Sequence, residues 1–204
     1  MPLAALPNLL SGLRILLVLP FSVLLLREQF APALGLFVAA AVTDGIDGWL
    51  ARRFNWQSQL GALLDPAADK LLIAVSLILL SWMAFAPVWV VVVVLVRDIV
   101  IVAGALAYRR LIGPVTYGST RLSKICTVLQ LLLIVALLLQ PLLLPPPLQE
   151  AQALATQQST ASALVAQAVS LLAVAVAALA MLSGADYVRT WARKAALQRS
   201  QAGR

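Results

Sequence analysis

The feature that most narrows how this chain can fold is a series of apolar runs, each close to the thickness of a bilayer. Six follow one another, at about 9–26, 31–50, 60–80, 84–107, 122–144 and 161–183. A helix needs about 20 residues to cross the hydrocarbon core, and each run approaches that length. Together with the short connections between them they extend over most of the 204 residues and leave no room for a soluble domain. The expected fold is all-α: an integral membrane bundle of six transmembrane helices, forming a single domain over residues 1–204.

Composition agrees. Apolar residues make up 62% of the chain and charged residues 11%, against about 45–50% apolar in soluble domains. A soluble globule could not hide that much apolar surface, and a disordered chain would not carry it. Pro145-Pro146-Pro147 closes the fifth run and Gly113-Pro114 breaks the chain before it. Gln149–Ser162 reads as a loop, and Arg189–Arg204 as a basic tail that lies on the membrane surface or frays. Met1–Ala5 has no basic residue and the first run contains Arg14, so no cleavable secretory signal is expected.

The basic residues orient the bundle. Arg52 and Arg53 sit near the 2–3 connection, and Arg109, Arg110, Arg121 and Lys124 around the 4–5 connection. Another group follows the sixth run, whereas the opposite connections hold only Arg27. Cytoplasmic loops are enriched in Lys and Arg, so both termini are expected in the cytoplasm. Lys and Arg outnumber Asp and Glu by 15 to 8. In this setting the excess points to anionic lipid or a phosphorylated substrate, with no nucleic acid as partner.

There is no histidine and only one cysteine, Cys126. His-ligated zinc or haem, imidazole acid–base chemistry and internal disulfides are therefore excluded. A bound metal would have to be held by oxygen, which suits Mg²⁺, Mn²⁺ or Ca²⁺. Five of the eight acidic residues fall inside the runs or at their ends: Asp44, Asp47, Asp65, Asp69 and Asp98. A carboxylate at membrane depth costs several kcal/mol unless paired or hydrated, at about 3 kcal/mol or more per residue. Asp44 and Asp47 are spaced i,i+3, and Asp65 and Asp69 i,i+4, so each pair shares a helical face. A short connection would make the two helices antiparallel neighbours and bring all four carboxylates to one edge. They would repel one another unless one or two divalent cations bound there.

The stretch from Asp44 reads DGIDGWLARRFNWQSQLGALLDPAAD. It resembles the signature of the CDP-alcohol phosphatidyltransferase family, matched at every signature position: Asp44, Asp47, Gly48, Ala51, Arg52, Gly61, Asp65 and Asp69. Pro7-Asn8-Leu9-Leu10-Ser11 with Arg14 is similar to the start of the family's glycerol-phospholipid branch. Ser123-Lys124-x-x-Thr127-x-x-Gln130 resembles members that make phosphatidylglycerophosphate or cardiolipin. Arg97-Asp98, with Ser before that Lys, looks somewhat more like the cardiolipin type.

The resemblance implies a phosphatidyl transfer from CDP-diacylglycerol to an alcohol acceptor, with loss of CMP and with Mg²⁺ or Mn²⁺ as two bound ions. It implies Asp44, Asp47, Asp65 and Asp69 as metal ligands, and Asp69 also as the catalytic base. Physical chemistry suits the other positions to CDP and phosphate. Gly48 and Gly61 let a nucleotide approach the backbone, Ala51 keeps that face open, and Arg52 offers a bidentate fork. Arg97, Arg110, Arg121 and Lys124 are the candidates for an acidic acceptor, glycerol-3-phosphate or phosphatidylglycerol. Family members also imply a homodimer in a bacterial cytoplasmic membrane, with the active site facing the cytoplasm.

Other readings stand beside this one. The aspartates could form structural ion pairs with Arg52, Arg53 and Lys70, or a proton relay in a small transporter. Gly48 and Gly61 could be packing glycines. The acceptor could be inositol phosphate or serine, and an intramembrane prenyltransferase also uses aspartate–metal chemistry. Arg97 and Asp98 point about 100° apart on a helix, so each is expected to find a partner on another helix. Cys126 reads as inert packing, and Ser183-Gly184 with Tyr187 as packing plus an interfacial anchor.

Overall fold

A computed structural model describes residues 6–54, 61–111, 121–143 and 155–202, with side chains over 12–43 (Arg14 apart), 70–104, 122–143 and 163–190. Six helices account for these residues apart from two short turns: α1 (Leu6–Leu26), α2 (Phe30–Phe54), α3 (Gly61–Trp82), α4 (Val88–Leu111), α5 (Arg121–Leu143) and α6 (Ala155–Ala202). At about 1.5 Å per residue, the first five measure roughly 32–38 Å. With 48 residues, α6 measures about 72 Å.

Among the described side chains, two stretches, Leu122–Leu143 and Ala163–Thr190, are long and apolar enough to cross a membrane. Only 33% and 22% of their most apolar windows are buried inside the protein. That distinguishes them from the interior helices of a soluble protein, which hide their apolar faces. Leu16, Leu19, Val92, Ile99, Leu164 and Leu171 likewise stand exposed on the outside of the bundle. A surface of this kind suits lipid rather than water.

The interior is built from the opposite faces of the same helices. Phe21 and Leu25 of α1, Phe37 of α2, Leu77 and Leu80 of α3, and Val90 and Val94 of α4 are almost wholly enclosed. Leu133, Ile134, Leu137 and Leu138 of α5 and Val176 and Ala180 of α6 complete this core. The rings of Phe21 and Phe37 meet at 5.9 Å between centroids. Over the described residues α1 packs on α2 and α3, α5 on α2, α3 and α6, and α4 on α3 and α6.

Where α4 meets α6, each helix offers a glycine to a large side chain of the other. A Cβ on Gly104 would lie 3.2 Å from the Tyr187 ring, and one on Gly184 would lie 3.6 Å from Arg97 Cγ. Small residues in this way let membrane helices approach closely.

The turns fix the alternation of the helices. α1 ends in a Schellman motif: Glu28 N–H donates to Leu25 C=O and Gln29 N–H to Leu24 C=O, both at 2.9 Å. α3 ends the same way, with Ala84 N–H on Ser81 C=O and Phe85 N–H on Leu80 C=O. The residue after each cap adopts positive φ, 57° at Glu28 and 63° at Ala84. Neither is the glycine that usually occupies this position. Phe30, which opens α2, meets Phe85 edge-on at 5.3 Å, so the two turns lie at one end of the bundle. Trp82 and Trp89 are exposed at that end, as interfacial anchoring predicts. Trp49, Trp56 and Trp191 lie outside the described side chains.

The C-terminal part of α2 and the N-terminal part of α3 therefore lie at the other end. α2 and α3, which carry the two aspartate pairs, are antiparallel, and over the described residues both pack on α1 and α5 rather than extensively on each other as expected. Five helices begin and end within a few residues of the apolar runs. The sixth does not. The polar stretch expected to remain a loop up to Ser162 is helical from Ala155, and the expected tail continues α6 to Ala202. Ala, Gln, Arg, Lys and Leu dominate the C-terminal extension and are strong helix formers whatever their hydropathy, whereas the N-terminal one mixes Ala and Gln with Ser and Thr.

Candidate active site

The aspartates of the sequence signature sit on regular helix. Asp44 and Asp47 lie one turn apart on α2, and Asp65 and Asp69 one turn apart on α3. Both pairs belong to the end of the bundle opposite the Phe30–Phe85 contact. Just before Asp44, the Thr43 hydroxyl folds back onto its own helix, 2.8 Å from Ala39 C=O and 2.9 Å from Ala40 C=O. Just after it, a Cβ built on Gly45 would meet nothing within 4 Å, so the backbone of α2 is open beside the first carboxylate. The side chains of Asp44, Asp47, Ala51, Arg52, Asp65 and Asp69 lie outside the described residues, as do those of Arg110 and Arg121. Gly48 and Gly61 fall in the same segments. Carboxylates are oxygen donors, the ligand type that suits a hard divalent cation.

Next to this set, the structure describes a buried polar cluster that joins four helices. Lys70, the residue after Asp69 on α3, donates from Nζ to Asp98 Oδ1 of α4 at 2.7 Å. Asp98 Oδ1 also accepts from Arg97 Nη1 at 2.5 Å. The other terminal nitrogen, Arg97 Nη2, donates to Ser123 Oγ of α5 at 2.6 Å and to Ser183 Oγ of α6 at 3.0 Å. Arg97 is 4% exposed, Asp98 8% and Ser183 0%. Arg97 Nε is buried and has no hydrogen-bond partner among the described residues. An orphaned buried donor of this kind costs about 1–3 kcal/mol.

Sequence reasoning anticipated part of this arrangement. Arg97 and Asp98 do find partners on other helices, and they also pair with each other. Adjacent helical residues diverge at Cβ, but the long arginine stem bends back far enough for its fork to reach the neighbouring carboxylate. The sequence offers Lys70 as a partner for the aspartates of the signature, but its described partner is on α4. Ser183 reads from the sequence as packing, yet it accepts a charged hydrogen bond. A small hydroxyl on an apolar helix opposite a buried arginine is the signal that could have found it, because a buried guanidinium needs acceptors.

The first turns of α5 separate two kinds of side chain. Ser123, Thr127 and Gln130 lie at i, i+4 and i+7 on one face, while Lys124 is exposed. Thr127 Oγ1 donates to Ser123 C=O at 3.1 Å. Gln130 is buried and donates to the Sγ of Cys126 at 3.7 Å. Cys126 is a buried free thiol, as expected of packing. An open groove of about 390 Å³ runs between α3 and α4. Leu71, Ala74, Leu95, Ile99 and Val102 wall it, and Lys70 and Asp98 stand among them.

Comparison with known proteins assigns this architecture to a family. The sequence profile of the CDP-alcohol phosphatidyltransferases matches residues 4–182, a range that includes both aspartate-bearing helices and the whole four-helix cluster apart from Ser183. The CMP-forming cardiolipin synthase of Rattus norvegicus is 39% identical over 146 residues, covering 64% of this chain and 48% of the relative. A cardiolipin synthase of Streptomyces coelicolor is 43% identical over 98 residues, 45% of this chain and 46% of its own length. The CDP-diacylglycerol–glycerol-3-phosphate 3-phosphatidyltransferase of Escherichia coli K12 is 46% identical over 80 residues, 37% of this chain and 43% of the relative. The chain spans about half the length of the curated relatives it matches. No solved structure gives a significant match. With the profile extending over most of its length and both aspartate pairs on the helices the signature requires, the chain belongs to the CDP-alcohol phosphatidyltransferase family.

Proposed function

We propose that this protein transfers the phosphatidyl group of CDP-diacylglycerol to a glycerol-type alcohol and releases CMP. The observation that carries the reading is the family match across the bundle, with Asp44, Asp47, Asp65 and Asp69 at one end of α2 and α3. The reaction forms one P–O bond and breaks another. The acceptor hydroxyl oxygen attacks the phosphorus on the lipid side of the pyrophosphate. The bond to the CMP phosphate breaks and CMP leaves with that electron pair. Asp69 takes the hydroxyl proton. Arg52 grips a phosphate, and Gly48, Ala51 and Gly61 leave the helix faces low enough for the nucleotide.

Asp44, Asp47, Asp65 and Asp69 would hold two Mg²⁺ or Mn²⁺ ions, which when bound neutralise the pyrophosphate and stabilise charge on the transferring group. The chain's own contribution is to position the substrates at the membrane surface. The apolar groove between α3 and α4 suits an acyl chain. Arg97, Arg110, Arg121 and Lys124 bring positive charge to the same end of the bundle, where an anionic acceptor would bind.

Phosphatidylglycerol is the favoured acceptor. Its support is the longer match to cardiolipin synthases and Arg97-Asp98 together with Ser123 before Lys124. Glycerol-3-phosphate is the second reading, supported by the higher identity of the shorter match to the Escherichia coli enzyme. The bundle in this reading is a single domain that crosses a bacterial cytoplasmic membrane six times. Its support is the alternation of the helices and the basic residues gathered at the aspartate end. Family resemblance extends the reading to a homodimer. The test is CMP release from CDP-diacylglycerol by purified protein, with each acceptor and each metal in turn, and the lipid product weighed by mass spectrometry. A product of cardiolipin mass supports the first acceptor, and phosphatidylglycerophosphate the second.

A further inference from the structure

Both terminal nitrogens of the Arg97 guanidinium are engaged by the protein. Nη1 donates to Asp98, and the two hydrogens of Nη2 go to Ser123 on α5 and Ser183 on α6. With 4% of its surface exposed, this side chain presents no open face to a substrate. What it grips is the first turn of α5, which carries Arg121 and, next to Ser123, the exposed Lys124. The guanidinium is planar and its N–H groups diverge at fixed angles. Two hydroxyls on one nitrogen therefore fix the plane of the fork, and Asp98 fixes its other end. Gly184 lies beside the arginine stem, whose Cγ would be in ordinary van der Waals contact, 3.6 Å, with a Cβ there. α6 thus contributes an acceptor and a packing neighbour, although it carries no residue of the aspartate signature.

We infer that Ser183 and Arg97 are positioning residues that set acceptor affinity. Ser183 holds the guanidinium, and the guanidinium holds the first turn of α5 where Lys124 and Arg121 meet the anionic acceptor. This inference rests on the phosphatidyl-transfer reading. It assigns Arg97 to positioning rather than to direct contact with the acceptor, and it makes α6 a part of acceptor selection.

Ser183→Ala removes one acceptor and adds no volume, so it tests the inference in a folded protein. The expected result is a rise of about three- to tenfold in KM for the acceptor, the range of one charged hydrogen bond acting through a neighbour. The kcat and the KM for CDP-diacylglycerol stay within about twofold. Ser123→Ala gives the same selective rise and is a second reading should Ser183→Ala lose stability. In an Arg97→Lys background, which lacks the fork, Ser183→Ala adds nothing further. The inference is overturned by an unchanged acceptor KM in both serine variants. A uniform loss in both KM values and kcat with a lowered melting temperature also overturns it, because that is a merely structural role. So does a rise confined to Arg97→Lys, which would make Arg97 a direct ligand. Absence of acceptor-dependent CMP release from the unsubstituted protein overturns the functional reading, and the inference with it.

Discussion

The two ends of the bundle are held together by different physics. At the end bearing Phe30 and Phe85, two Schellman motifs satisfy the last carbonyls of α1 and α3, and enclosed side chains such as Leu25 and Leu80 fill the interior. Among the described residues, Arg27 and Glu28 are the charges of the turns there. At the opposite end lie the aspartate signature, most of the basic residues and a cluster of ionic hydrogen bonds through α3, α4, α5 and α6. That cluster includes an orphaned guanidinium N–H, which packing alone would have eliminated. The difference separates a scaffold from a working end: one minimises free energy locally, while the other tolerates a cost to hold charge in place inside an apolar bundle.

Substitutions at the two ends should therefore separate activity from stability. The largest effect is expected at Asp69. Asp69→Asn lowers CMP release by about 10²–10⁴-fold, the range of a lost general base, with helical content unchanged by circular dichroism. Release within tenfold of the unsubstituted protein would remove Asp69 from the role of base. Chelation of divalent ions should silence the unsubstituted protein too, with Mg²⁺ or Mn²⁺ restoring it.

The ionic cluster beside the aspartate helices should fail in both respects. Asp98→Ala leaves Lys70 and Arg97 without their carboxylate and is expected to cost about 3–5 kcal/mol of stability, together with activity. A thermal scan in detergent and a CMP assay check the two parts. At the scaffold end Leu80→Ala should lower stability by about 2–5 kcal/mol through cavity formation. The kcat of the folded fraction should not change. If kcat falls with stability there, the division between the ends is wrong.

The smallest effects are stabilising. Glu28→Gly and Ala84→Gly each place glycine at a positive φ. A side chain in that conformation costs about 1–2 kcal/mol, against roughly 0.5–1 kcal/mol for the added freedom of an unfolded glycine. A net gain of up to about 1 kcal/mol per site is expected from the melting temperature, with no change in turnover.

The contrast also explains what could be read from sequence. Helices α1 to α5 were legible because an apolar run of bilayer length has few alternatives, and proline or polar residues mark its ends. The extensions of α6 were not, because hydropathy was the guide: Arg189–Ala202 is polar but rich in strong helix formers, and Ala155–Ser162 is a polar continuation of the helix that no apolar run marks. The turns at Glu28 and Ala84 carry no glycine to announce a left-handed cap. Within the working end, the aspartate signature was legible because carboxylates are costly in an apolar run and their spacing is specific. Lys70–Asp98 and Arg97–Ser183 were not, since they join residues 28 and 86 positions apart. Such pairs depend on which helices become neighbours, information that no single helical period contains.

The most direct test of the central claim is CMP release from CDP-diacylglycerol by the purified protein, supplied with Mg²⁺ or Mn²⁺ and either phosphatidylglycerol or glycerol-3-phosphate. The expected result is release that requires both the metal and one of these acceptors, with a lipid product of the corresponding mass. A folded protein that releases no CMP with either acceptor and either metal would contradict the account.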